Sequence, residues 1–246
     1  MNKNKFLIGL FAVLCTTAMF SCKKETVVNT DGSNLYQPFL QLQIGKYITY
    51  SVDSSIWNDA LCIKFTPQSQ QRFLVNDTFR DNQKRLSYVI NVLSRKNDTA
   101  QWYSNDVIYV TPASDHYEFV EKNIRYMRLT NPVKSGYVWN GNSLMPSDDQ
   151  DYAYLKNWNY TYQNVLQPYD NGKMKFDNTI TVSETNQVLN NPETMPAAYA
   201  YLLQSQSVYA YGVGMIYREY TYWTYDPSGT SCRKGIGVVM RAIDHN

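Results

Sequence analysis

The strongest constraint on the fold is a repeated pattern of short runs rich in Tyr, Val, Ile, Thr, Phe and Trp, each bounded by Asn, Asp, Gly or Pro. The first group fits a pleated, half-buried surface, and the second supplies turns. In 46–56, Ile48, Tyr50, Val52 and Ile56 alternate with Thr49, Ser51, Asp53 and Ser55, the period of two that a strand with one buried face requires. Similar runs occupy 71–79, 86–94, 107–111, 117–120 and 124–129. Further on, 158–166 and 174–183 flank Asn171-Gly172, a hairpin signal because both residues tolerate positive φ. A strand follows over 199–211, then a pair over 215–225 and 236–243. Helical spacing is nowhere sustained, and 149–155 is expected to form a short helical turn. The pattern predicts an all-β fold with little helix: a single domain of about ten antiparallel strands forming a curled sheet, half-barrel or barrel, since long open edges invite aggregation.

The first residues follow another logic. Lys3 and Lys5 precede the uncharged apolar stretch 6–14, which reads as a secretion signal and is too short to span a bilayer. Ala18-Met19-Phe20-Ser21-Cys22 then supplies the small or apolar residues and the thiol that lipidation requires. The expected organisation is a signal peptide over 1–21, a lipidated tether over 22–37 beginning at Cys22, and a β-rich domain over 38–246. An ordinary secretory cut near Ala18, leaving Cys22 a plain thiol, is the competing reading. Acyl chains on Cys22 would hold the protein at a membrane.

The whole chain carries 23 basic and 21 acidic residues; the signal removes two lysines and no acid, so the mature protein is formally neutral. Nothing in that balance favours nucleic acid, whose binding rests on neutralising phosphates. With Cys15 lost and Cys22 lipidated, Cys62 and Cys232 remain in an oxidising compartment. Two readings stand: a bridge between the first and last parts of the domain, or two unrelated cysteines.

Sites for chemistry are sparse. The two histidines, His116 and His245, each follow an aspartate, Asp115 and Asp244, but no Gly-x-Ser-x-Gly elbow accompanies them. Zinc-like clusters are missing, and Asp148, Asp149 and Asp151 lack the spacing of a calcium loop. Gly212-Val213-Gly214 continues into a strand, so it is a bend and not a dinucleotide fingerprint. No catalytic residue, metal or cofactor is expected. On the strand over 215–225, Tyr217, Trp223 and Tyr225 share one face while Arg218, Tyr220 and Tyr222 share the other. One face is expected to pack in the core, and Arg218, Tyr220 and Tyr222 form the candidate aromatic binding face.

Three segments, Gly45-Lys46-Tyr47-Ile48-Thr49-Tyr50-Ser51-Val52-Asp53-Ser54, Tyr137-Val138-Trp139-Asn140-Gly141-Asn142 and Tyr209-Ala210-Tyr211-Gly212-Val213-Gly214-Met215-Ile216-Tyr217-Arg218-Glu219, resemble an uncharacterised family of Bacteroidetes lipoproteins. The last hairpin is also similar to curved-sheet periplasmic lipoprotein carriers. The resemblance implies an outer-membrane lipoprotein, on the periplasmic face or the cell surface, with no assigned activity. The expectation is a non-enzymatic protein held to the membrane by its lipid, binding an unknown ligand or protein partner; the alternatives are a carrier of a lipid or other hydrophobic ligand in a β cavity, and a hydrolase.

Overall fold

In the computed structural model, which describes residues 36–146 and 150–246 apart from the side chains of 150–152, the alternating runs become thirteen antiparallel strands. They are β1 (Tyr47–Asn58), β2 (Ile63–Phe65), β3 (Gln68–Arg80), β4 (Leu86–Arg95), β5 (Tyr103–Pro112), β6 (His116–Glu121), β7 (Ile124–Thr130), β8 (Val138–Asn140), β9 (Asn159–Asp170), β10 (Lys175–Leu189), β11 (Ala200–Ala210), β12 (Gly214–Tyr225) and β13 (Arg233–His245). The signal peptide and Cys22 lie outside the described residues.

Twelve strands form one ladder in the order β7-β6-β5-β4-β3-β1-β13-β12-β11-β10-β9-β8, and β2 pairs with the far part of β1. The first and last strands therefore pair, from Ile48 opposite His245 to Trp57 opposite Gly235. The free edges fall on β7 and β8, which are consecutive in the chain. These edges meet without a ladder: Met127 N–H donates to the Gly141 carbonyl at 2.7 Å, and Trp139 Nε1 donates to the Met127 carbonyl at 2.9 Å. The sheet is thus nearly closed into a barrel, which hides most of its edge.

Two strands exceed the number expected from periodicity, β2 and β8, each of three residues and too short to show a period. Trp139 lies in β8 and is buried in the main core. Residues 150–155 form a short 3-10 turn. Tyr36, near the end of the stretch assigned to the tether, already belongs to the fold: it is wholly buried, and its hydroxyl donates to the Ala113 and His116 carbonyls.

The lower end of the barrel is where β1 begins and β13 ends. There the inward residues are apolar, with Ile48, Tyr50, Val75, Ile90, Val110, Tyr117, Phe119 and Tyr209 all buried. Asn171 closes the β9–β10 hairpin: its Oδ1 accepts from Lys173 and Met174 N–H, and its Nδ2 donates to the Ile216 and Ala242 carbonyls. At the upper end, Cys62 and Cys232 form a disulfide with Cα atoms 5.4 Å apart. Because β1 and β13 are neighbours, the bridge joins two adjacent hairpins.

Candidate functional site

The upper half of the barrel interior is polar, and β-bulges build it. In β7, Tyr117 pairs with Leu129 and Glu118 with Met127, leaving Arg128 as the extra residue. In β10, Ser183 pairs with Gln206 and Thr185 with Ser205, leaving Glu184 as the extra residue. A bulge leaves one residue unpaired across the ladder, and here the two unpaired residues, each in phase with the inward residues before it, meet: Arg128 Nη1 donates to Glu184 Oε2 at 3.0 Å. Ser205 and Ser207, inward from β11, donate to the same carboxylate at 2.5 and 2.6 Å. Arg128 also donates to the Tyr160 hydroxyl at 3.3 Å and lies over the Tyr126 ring at 4.3 Å.

Their electrostatics follow from this enclosure. Burial alone would raise the Glu184 carboxyl, but the charges of Arg128 and Arg218 and the two serine hydroxyls outweigh it, so Glu184 stays below the usual carboxylate range. Burial opposes the charge on Arg128 as well, and Tyr160 and Glu184 reverse that effect. Side-chain exposures of 4% and 1% mark this pair as sealed.

A second pair is different. Arg218, inward from β12, reaches Glu121 at the end of β6 at 3.4 Å, with side-chain exposures of 19% and 26%. These two side chains are partly exposed, more so than Arg128 and Glu184, although they sit on the interior face. Burial would raise Glu121, and the nearby Arg218 and Arg128 charges lower it. Further up the same face of β12, Tyr220 and Tyr222 pack against the main core, and Tyr154 from the 3-10 turn stacks on Tyr222 at 5.4 Å and 13°.

The candidate aromatic face, Arg218, Tyr220 and Tyr222, is therefore part of the barrel lining and not a flat outer patch. The opposite face of β12 points outward and is covered. Tyr217 meets Tyr169 at 5.7 Å, Arg233 sits over Trp223 at 4.7 Å, and the Tyr225 hydroxyl donates to the Pro196 carbonyl. Sequence reasoning separated the two faces and missed Arg128 and Glu184. The available signal was a charged residue in phase with Ile124 and Tyr126 in one strand, and with Ile180 and Val182 in another.

Other sequence-predicted sites lie apart. His116 is bonded to Asp115 at 2.7 Å and approaches Glu118 at 3.4 Å, in an outward cluster that Arg85 and Arg125 complete. Asp244 pairs with Arg72 at 3.6 Å, and His245 packs on the Phe176 ring. Among the described residues no serine hydroxyl bonds to either histidine. Asp148, Asp149 and the Asp151 side chain lie outside the described residues, and no group of three metal-ligating side chains is found among those described.

An apolar cavity of about 70 Å³ occupies the lower half, between the segment Leu40, Gln41, Leu42 and the inward residues Tyr50, Phe73, Tyr209 and Met215, among others. No family model and no curated protein matches the chain. Among solved structures, a weak neighbour is a Bacteroides fragilis protein described as exported and as having a YmcC-like fold. The match covers 85% of this chain and 98% of that one at 10% identity, with a TM-score of 0.32, a likeness too slight to carry an argument.

Proposed function

We propose that this is an exported, lipid-anchored, non-enzymatic binding protein of the outer membrane, which takes a hydroxyl-rich ligand such as an oligosaccharide in the upper barrel interior. One observation carries the binding site: of two interior ion pairs, Arg128–Glu184 is sealed while the side chains of Arg218 and Glu121 are partly exposed. A sealed pair has its donors and acceptors committed within the core, whereas a partly exposed pair keeps some of them free for a guest. Arg218 and Glu121 offer planar donor and acceptor groups with no net charge, and Tyr220 lies beside Arg218 on the same face of β12. That combination suits a neutral polyhydroxyl better than an ion, which would have to split the pair.

Export and anchoring are supported by the charged and apolar start, by Cys22, and by a disulfide that belongs to an oxidising compartment. Carriage of a whole lipid is not favoured, because pockets that enclose such ligands run to roughly 300 Å³ or more and the apolar cavity holds about 70 Å³.

Two measurements test the reading. Labelled palmitate should appear on the wild type and vanish in Cys22→Ala; label persisting in that variant refutes the anchor. The mature chain, applied to an array of bacterial surface oligosaccharides, should bind a subset, and Arg218→Met should lose it while retaining the fold. An array on which both proteins behave alike counts against the site.

A further inference from the structure

We propose that the lower cavity is a second, separate binding site, for a slim hydrocarbon ligand bearing a single hydrogen-bond donor, and that Gln41 is the residue that recognises the donor. The cavity of about 70 Å³ has room for two or three waters by volume. Its walls give water little to hold: Ile48, Val75, Ile90, Val110, Phe119 and Met215 are apolar, and the Tyr50 hydroxyl is already committed to the Met215 carbonyl at 2.7 Å. A water needs two to four polar partners, so this space suits hydrocarbon.

Lys46, Tyr47, Tyr117 and Tyr209 also line the cavity, but among the described lining residues one buried side-chain polar atom lacks a partner. Gln41 lines the cavity; its Nε2 donates to the Asn246 carbonyl at 2.9 Å, while its Oε1 is buried with no hydrogen-bond partner among the described residues. A buried acceptor left open is costly, and a ligand N–H or O–H would satisfy it. The complement of this site is therefore a chain of about two or three carbons ending in one donor, such as ethanol.

The ceiling is a strap fixed at both ends. On one side the Pro38 carbonyl accepts from Gly212 N–H, and Phe39 meets Tyr211 edge-on at 5.9 Å. On the other, Gly45 N–H donates to the Val75 carbonyl, and Val75 N–H donates to the Lys46 carbonyl. Between these clamps, among the described residues, the backbone of 41–44 makes one hydrogen bond, Lys46 N–H to the Gln43 carbonyl. Outside the strap lies an open groove of about 560 Å³ lined by Leu40, Leu42, Lys46, Tyr88, Pro112 and Tyr211. Leu40, Gln41, Leu42 and Lys46 line both spaces, so displacement of this short, weakly tied stretch would join them and give a guest its way in.

The test uses the full mature chain with Cys22→Ser, which keeps acyl chains out of the sample, and ¹³C-methyl methionine. Met215 reports on the cavity and is assigned with Met215→Leu. Titration with ethanol should shift the Met215 methyl saturably while Met145 and Met195 stay still. Gln41→Leu should weaken ethanol at least about fivefold and leave ethane, applied under gas pressure, unchanged; Gln41→Glu, which keeps acceptor oxygens, should retain the preference for the alcohol. The absence of a saturable Met215 shift overturns the site. An unchanged alcohol-to-alkane ratio in Gln41→Leu overturns the role of Gln41. Neither result depends on the oligosaccharide array, which reads the opposite end of the barrel.

Discussion

The pair at the two bulges, at the centre of the barrel, makes a quantitative prediction. Changing Glu184 to Gln keeps the side-chain volume and removes the charge, so Arg128 is left buried without its counter-charge, beside the Tyr160 hydroxyl at 3.3 Å and the Tyr126 ring at 4.3 Å. The new amide NH₂ also faces donors, since Arg128, Ser205 and Ser207 all donate to this group. Breaking one side of a buried pair costs about 3–5 kcal/mol, a large part of the roughly 5–15 kcal/mol by which a domain is stable. Arg128→Met should cost a similar amount, because Glu184 then keeps its charge with two serine donors and no directly bonded cation, the Arg218 charge lying further off. In the double variant no charge is stranded, and the loss should shrink to about 0–2 kcal/mol. The assay is urea unfolding followed by tryptophan fluorescence for the wild type, both single variants and the double, read as a double-mutant cycle. Coupling of several kcal/mol is expected. Single losses below about 1 kcal/mol, or additive losses, would refute the claim that the two bulges exist to bring these charges together.

Further tests probe other parts of the frame. Replacing both Cys62 and Cys232 by Ser opens a loop whose ends are 170 residues apart and should lower stability by up to about 5 kcal/mol on the chain-entropy account, seen as a fall in urea midpoint that reductant reproduces in the wild type. Gly141→Ala would set a methyl 2.5 Å from the Tyr160 ring; a loss of about 1–3 kcal/mol should accompany faster amide exchange at Met127, whose N–H bridges the seam. The outward cluster predicts a pH window. Burial would raise Glu118, but hydrogen bonds from His116 and Arg85 and the Arg125 charge lower it from 4.5 to about 2; its contribution, up to about 3 kcal/mol, is complete above pH 4.5 and lost as pH falls toward 2. The Glu118 hydrogen bond raises His116 above 6.5 against the opposing effect of burial, so its contribution is complete below pH 6.5 and lost as pH rises through the raised value. Urea midpoints at pH 3, 5.5 and 8 should therefore peak at the middle value, and Glu118→Gln should flatten both limbs.

How much of this was legible in the chain depends on what a period of two can carry. Long strands declared themselves: Ile48, Tyr50 and Val52 alternate with polar neighbours in the sequence and are buried in the barrel, and the two faces of β12 separate at Arg218, Tyr220 and Tyr222. The direction of those faces did not. Both carry aromatic residues, and which one turns inward depends on the closure of the sheet through β1 and β13, a pairing between residues about 200 positions apart. The seam was hidden for a related reason, since it rests on the three residues of β8 and on backbone groups of Met127 and Gly141, which have no sequence signature. Arg128 and Glu184 are the most instructive omission. Each is in phase with apolar neighbours, which within a single strand looks like an isolated defect on a core face. Opposite charges on the inward faces of two strands are a stronger pattern, because neither could be buried without the other, and the bulges show how the chain resolves it: one extra residue in each strand lets the charge reach across the interior while the apolar residues on either side keep their places in the wall. Where a β sequence sets single opposite charges on otherwise apolar strand faces, the physical expectation is a bulge at each and a contact between them.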